Sequence, residues 1–195
     1  MKIPLHYQIS EFDCGPTTLT NMLSFLFQRK EIPQDVIRKI YEFTLDGYET
    51  NGIEKGQYGT SDEAMIQFAD WLSFMTFSSY PIEAEVLAGA EVSLEPGSHM
   101  ETFLYNGGAV VAKVMIADPH YVLITGVNRK RKQAYVFDPY HRTRQFSRSD
   151  LTWTFDHPFS YNCVIPYHYF NTESDIYYSF GKKKQRLCIL YSLSK

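Results

Sequence analysis

Cysteine is scarce in this sequence: three residues, Cys14, Cys163 and Cys188, in a chain of 195. An odd number at wide spacing suits neither a disulfide framework nor a zinc site, so free thiols in a reducing compartment are expected. No run of 18 apolar residues occurs, so no membrane span is expected. The first residues, Met1-Lys2-Ile3-Pro4-Leu5-His6, lack the apolar core of a secretory signal, which points to a cytoplasmic protein. Charge of one sign is also missing: 19 basic against 22 acidic residues give a net −3. A nucleic-acid binder draws its affinity from clustered Lys and Arg, so nucleic acid is not an expected partner. The two basic runs, Arg129-Lys130-Arg131-Lys132 and Lys182-Lys183-Lys184, each fall between strand-like segments and read as solvated turns. No paired-histidine motif marks a metal hydrolase, and neither metal nor cofactor is expected.

What is present is ordinary globular material with many aromatic rings. Apolar residues make up 44% and aromatics 16%, including 15 Tyr and 14 Phe. Tyrosines packed ring-inward account for this as simply as a peptide-lining groove does. The length suffices to bury about two-thirds of the unfolded surface without a covalent staple. Apolar spacing predicts a helix from Cys14 to about Phe27 and another from Pro33 to about Phe43. Residues 46–60, with four glycines, read as a loop. Thr60 with Glu63, and Ser98 with Glu101, are capping-box patterns opening helices to about Phe74 and Tyr105.

After Gly107-Gly108 the pattern turns β-branched and aromatic: Ala109–Met115, Tyr121–Val127, Ala134–Phe137 and Tyr161–Pro166 read as strands. Ser147–Trp153 reads as a short helix, and 176–180 with 186–192 as a final hairpin around Gly181. Helices first and an antiparallel sheet second make an α+β chain. Residues 1–170 are expected to form the main domain, with 171–195 a C-terminal hairpin extension packed on it.

A free thiol, with a pKa near ~8.5, is only a few per cent ionised at neutral pH, and the thiolate is the nucleophile. A helix N-terminus favours the anion. Cys14, in Asp13-Cys14-Gly15-Pro16, stands where the first helix should begin, with Pro16 tolerated in its first turn. Gly15 leaves room for a substrate backbone. Cys163 and Cys188 sit among strand-like apolar residues and read as core. Gln8, six residues upstream, can supply a side-chain donor for an oxyanion over Cys14. Of six histidines, only His120 heads a strongly apolar strand, Tyr121–Val127. Across the hairpin the next strand ends in Phe137-Asp138-Pro139, so Asp138 can face His120 and set its tautomer. A strand-edge His beside a turn Asp is common in hairpins; the pair gains meaning only beside Cys14.

Together, Gln8, Asp13-Cys14-Gly15-Pro16, Leu19, Met22, His120-Tyr-Val-Leu-Ile-Thr-Gly126 and Asp138-Pro139 resemble the bacteriocin-processing, double-glycine leader peptidases and their stand-alone relatives. The resemblance covers about residues 5–140. It implies a papain-like fold, with N-terminal helices packed on a mainly antiparallel sheet, and a cysteine peptidase acting on a peptide or protein. It further implies Cys14 as nucleophile, His120 as general base, Asp138 as orienting carboxylate and Gln8 as oxyanion donor. No transporter-like segment follows, so secretion-coupled leader cleavage is not expected. The 44–60 loop and the 167–195 tail have no counterpart in the family pattern, and Pro119 stiffens the approach to His120. Papain-fold transpeptidases and acyltransferases share the nucleophile, and a domain that only binds peptide is the remaining alternative. Substrate sequence and oligomeric state are not set by the sequence.

Overall fold

A computed structural model describes residues 1–44, 59–76, 80–174 and 176–194, with the side chains of 75 and 76 left aside. The expected 46–60 loop therefore lies almost entirely outside the described residues. In chain order the elements are α1 (Cys14–Leu26), α2 (Gln34–Phe43), α3 (Asp62–Thr76), β1 (Ile82–Ala88), α4 (His99–Tyr105), β2 (Ala109–Ile116), β3 (Asp118–Asn128), β4 (Gln133–Phe137), β5 (Thr152–Trp153), β6 (Cys163–Pro166), α5 (Tyr167–Asn171) and β7 (Leu187–Leu193). The seven strands form one sheet in the order β1-β7-β2-β3-β4-β6-β5, and every pairing is antiparallel.

The continuous apolar runs of β2 and β3 have a simple cause: both faces of the sheet are covered. On one face Val111, Leu123, Phe137 and Ile189 pack with Leu19, Met22 and Leu23 of α1 and with Met65, Phe68 and Leu72 of α3. On the other, Val110, Ala112, Val122 and Ile124 pack with Met100 and Leu104 of α4 and with Phe170, Tyr178 and Phe180. Alternate residues of one strand thus serve two cores. The helix starts follow local chemistry. Ser98 Oγ accepts from the Glu101 backbone N–H, while Glu101 Oε2 accepts from Gly97 N–H at 2.8 Å.

Four expectations need correction. Ser61, not Thr60, caps α3: its Oγ accepts from Ala64 N–H at 3.1 Å. Residues 147–153 form no helix, because Trp153 is buried in β5 opposite Cys163 and the Gln145 carboxamide brackets its backbone. The C-terminal hairpin does not form. β7 runs between β1 and β2 instead, since Leu187–Tyr191 is buried on both sides and an interior position in the sheet satisfies that burial. Residues 176–180 pair with the sheet only by an isolated bridge among the described residues, Met115 to Ser179, and otherwise pack on its face. Finally, β1 was not expected from the sequence. Its Ile82-Glu83-Ala84-Glu85-Val86 alternation has the period of an edge strand, but its short, charged side chains blur the signal.

The turn into β7 is held by a buried cation. Arg186 is 4% exposed, and its guanidinium donates to the carbonyls of Gly181 (2.9 Å), Val92 (3.0 Å) and Asn171 (2.9 Å). Replacing it with Met leaves these acceptors without their donor. Arg186→Met is expected to lower stability by about 3 kcal/mol, read as an earlier urea midpoint. An unchanged midpoint would show that water replaces the guanidinium at no cost.

Candidate active site

Cys14 opens α1, a helix of 13 residues with no acidic side chain in its first turn and no side-chain cap. Asp13 precedes it, but its carboxylate turns back instead of capping. It accepts from Ile9 N–H (3.1 Å), Ser10 N–H (2.9 Å) and Ser10 Oγ (3.1 Å). The first amides of the helix are thereby left without a side-chain cap. Thr18 Oγ1 donates to the Tyr121 carbonyl at 3.0 Å, pinning α1 to β3 one residue from His120.

The N-terminal segment is strung over this helix. Asn21 exchanges two hydrogen bonds with the His6 backbone, at 2.9 and 2.8 Å, and Gln8 N–H donates to the Pro139 carbonyl at 2.9 Å. Gln8 is thus fixed between Cys14 and the Asp138-Pro139 turn. Its Nε2 donates to the Ser10 carbonyl at 2.7 Å, which occupies one of its two N–H groups.

His120 lies within β3, which begins two residues earlier than its position, so it is a strand residue and not the strand's head. Its Nε2 is 2.8 Å from Asp138 Oδ1, and Cys14 lies close enough on the same cleft to act on the ring's charge. A carboxylate only accepts, so Nε2 holds the proton in the neutral ring and Nδ1 is the nitrogen left for the sulfur. Asp138 has no solvent exposure. Its Oδ1 also accepts from Tyr140 N–H (2.9 Å), and its Oδ2 accepts from Tyr178 OH (2.7 Å). Asn162 clamps its backbone twice, each time at 2.8 Å.

These contacts set the charges. Burial alone pushes the His120 imidazolium down, but the charge and hydrogen bond of Asp138, and then those of Cys14, pull its pKa up to about 10. Burial pushes Asp138 up, and His120, Tyr178 and the Tyr140 amide together hold it below the usual carboxylate value. Cys163 and Cys188 have no exposure, and burial holds both firmly as thiols. Cys14 is nearly as enclosed, at 8% exposure. Its remaining access is through a cleft of about 830 Å³ that Gln8, Thr60, Lys113, His120 and Tyr177 also line.

All four sequence-derived residues, Gln8, Cys14, His120 and Asp138, therefore gather at one place. Gly15 has a different role from the one expected. A Cβ there would stand 2.3 Å from Thr60 Oγ1, so its missing side chain admits Thr60 and not a substrate backbone. Asn162 and Tyr178, which hold Asp138, were not visible in the sequence, since nothing local marks a residue 24 or 40 positions away as a partner. The cleft wall bearing Lys113, paired with Asp62, and Tyr121, donating to Asp62 Oδ1 at 2.9 Å, also carried no motif. Among the described residues no group of His, Cys, Asp and Glu could hold a metal ion, and no helix is long and apolar enough to cross a membrane.

Helices laid on an antiparallel sheet, with a cysteine at a helix tip facing a strand histidine, define an α+β protein of the papain-like kind. The chain belongs to the Peptidase_C39 like family, whose model matches residues 1–162. No curated protein matches it. Among solved structures it is similar to the peptidase domain of Streptococcus mutans ComA, at 14% identity and a TM-score of 0.43, covering 97% of this chain and 99% of that one. It is also similar to the peptidase domain of a Streptococcus ComA described as a bi-functional ABC transporter of a quorum-sensing pathway. There the identity is 18% and the TM-score 0.40, over 70% of this chain and 79% of that one.

Two measurements test the geometry. Brief iodoacetamide labelling at pH 6–7, followed by mass mapping, should modify Cys14 at least ~10-fold faster than Cys163 or Cys188; equal labelling would leave Cys14 an ordinary cysteine. In an NMR titration His120 should stay protonated through neutrality and lose its proton near pH 10, against an ordinary value of 6.5. Because the folded value lies above the unfolded one, its contribution to stability is complete below pH 6.5 and is lost as pH rises through about 10. Asp138→Asn should bring the ring's midpoint down, since burial then acts with little to oppose it.

Proposed function

We propose that this protein is a cysteine peptidase that hydrolyses peptide bonds through an acyl-enzyme. The observation carrying the reading is that Cys14 and His120 line one cleft, with His120 bonded behind it to a fully buried Asp138. The Cys14 sulfur, its proton passed to His120 Nδ1, attacks the scissile carbonyl carbon. The tetrahedral oxyanion is met by the Cys14 backbone N–H and the second N–H of Gln8 Nε2. His120, a stable imidazolium beside Asp138, gives its proton to the departing amine as the carbon–nitrogen bond breaks. It then takes a proton from water, whose oxygen attacks the thioester, and the acid product leaves with Cys14 restored. Every step draws on side chains of this chain and on water. The substrate is a peptide or protein segment laid in the cleft, where Phe12, Tyr140 and Tyr177 offer partly exposed rings. We assign the protein to the cytoplasm, where its three free cysteines stay reduced.

Kinetics with peptide or thioester substrates test this reading. Cys14→Ala is expected to abolish turnover with folding intact, and His120→Ala to do nearly the same, because the two act as a unit. Gln8→Ala should lower kcat by roughly 10²–10³-fold with KM little changed. Acid quenching and mass spectrometry should trap acyl-Cys14. Partition of the acyl group to an added amine at low concentration would turn the reading toward an acyltransferase. Absence of any acyl-enzyme, with peptide bound equally well by wild type and Cys14→Ala, would falsify catalysis and leave a peptide-binding domain.

A further inference from the structure

Asp138 Oδ2 receives one hydrogen bond among the described residues, and it comes from Tyr178. That residue lies beyond the 1–162 span of the family match. Its ring is fully buried, and its backbone sits at φ +65°, a left-handed conformation costly to any side chain but glycine's.

The segment around it is over-determined. Tyr178 N–H donates to the Met115 carbonyl and Met115 N–H to the Ser179 carbonyl, both at 2.8 Å. Ser179 Oγ donates to the Thr172 carbonyl at 2.9 Å and accepts from Gly181 N–H at 2.8 Å, and Phe180 N–H donates to the Phe170 carbonyl at 2.8 Å. A phenylalanine would fill the same space, and a buried hydroxyl is costly unless bonded. The strained backbone and the hydroxyl place a donor at the oxygen of Asp138 that His120 does not use, and the same hydroxyl lies 3.5 Å from Cys163 Sγ.

We propose that Tyr178 is a positioning residue of the thiol site: its hydroxyl fixes the Asp138 carboxylate so that Oδ1 faces His120 Nε2. This rests on the peptidase reading above. The Tyr140 amide holds Oδ1 from one side, Asn162 holds the backbone, and Tyr178 stops rotation of the carboxylate about its own axis. The tail beyond residue 162 is therefore part of the site. The groups acting on Asp138 are His120 from β3, Tyr178, Arg142 from the segment after β4, Cys163 of β6 and Tyr7 of the N-terminal segment.

The test is Tyr178→Phe in the full chain. We expect kcat to fall about ten-fold with KM little changed, as for loss of one hydrogen bond to a charged group. The acid limb of kcat/KM should move to higher pH, because the ionised carboxylate has lost a donor. In Cys14→Ala protein without substrate, the low-field Nε2 proton of His120 should broaden through faster exchange. A folded variant whose acid limb and proton signal match wild type overturns the proposal, whatever its change in thermal stability. If Tyr178→Phe does not fold, a fluorinated tyrosine at 178 keeps the ring and strengthens the donor. The His120 proton should then shift upfield as charge leaves Oδ1, and an unmoved signal overturns the proposal. The proton signal needs no turnover. A responsive signal in an inactive wild type sinks the peptidase reading and leaves the Tyr178 contact standing, whereas an active enzyme with an unresponsive signal sinks the Tyr178 role alone.

Discussion

A carboxylate with no exposure to water loses its hydration, and it stays ionised only if donors inside the protein replace it. Asp138 is in that position, and much of the architecture around the cleft exists to supply those donors. β3 brings the imidazole, the turn after β4 brings the Tyr140 amide, and the C-terminal segment brings the Tyr178 hydroxyl. Asn162, just before β6, ties down the peptide groups on either side of the Asp138 side chain. Segments far apart in sequence thus converge on one oxygen pair. The imidazolium of His120 is held above its ordinary value as the electrostatic counterpart of that burial.

Cys14 is placed by a different set of constraints. α1 lies on the sheet face formed by Val111, Leu123 and Phe137, and Thr18 fixes its height against β3. Thr60 packs into the gap left by Gly15, so the chain leading into α3 closes against the start of α1. Asp13, which could have capped the helix, spends its oxygens on the Ile9–Ser10 turn that carries Gln8 toward the site. One side chain thereby shapes the Gln8 side of the cleft while leaving the helix amides without a side-chain cap. Sulfur, carboxamide and imidazole come from three segments whose mutual distances depend on the packing of both cores.

Much of this was legible beforehand because it rests on local chemistry. The helix beginning at Cys14, the Ser98 cap, the β2–β3–β4 meander and its basic turn each follow from spacing, capping residues or β-branched runs. Hairpin geometry brought His120 and Asp138 within reach, since strand partners are set by a short turn. Long-range pairing was not legible. β7 reads equally well as half of a terminal hairpin or as an interior strand, and only the burial of both its faces between β1 and β2 selects the second. Ser147–Trp153 has helical composition, yet the burial of Trp153 in the sheet overrode that local preference.

The sequence by itself singled out the candidates for thiol chemistry: a cysteine at a helix start, a glutamine upstream, and a histidine and an aspartate side by side at the open end of one hairpin. These are matters of neighbour spacing, and spacing is written in the chain. Only the tertiary structure decided what makes the aspartate's burial tolerable and what borders the cleft: Tyr178 and Asn162 behind Asp138, Thr60 against Gly15, and Lys113 with Asp62 on the wall. Such partners are chosen by the packing of distant segments, where a contact depends on every intervening residue finding its place. No local pattern encodes it.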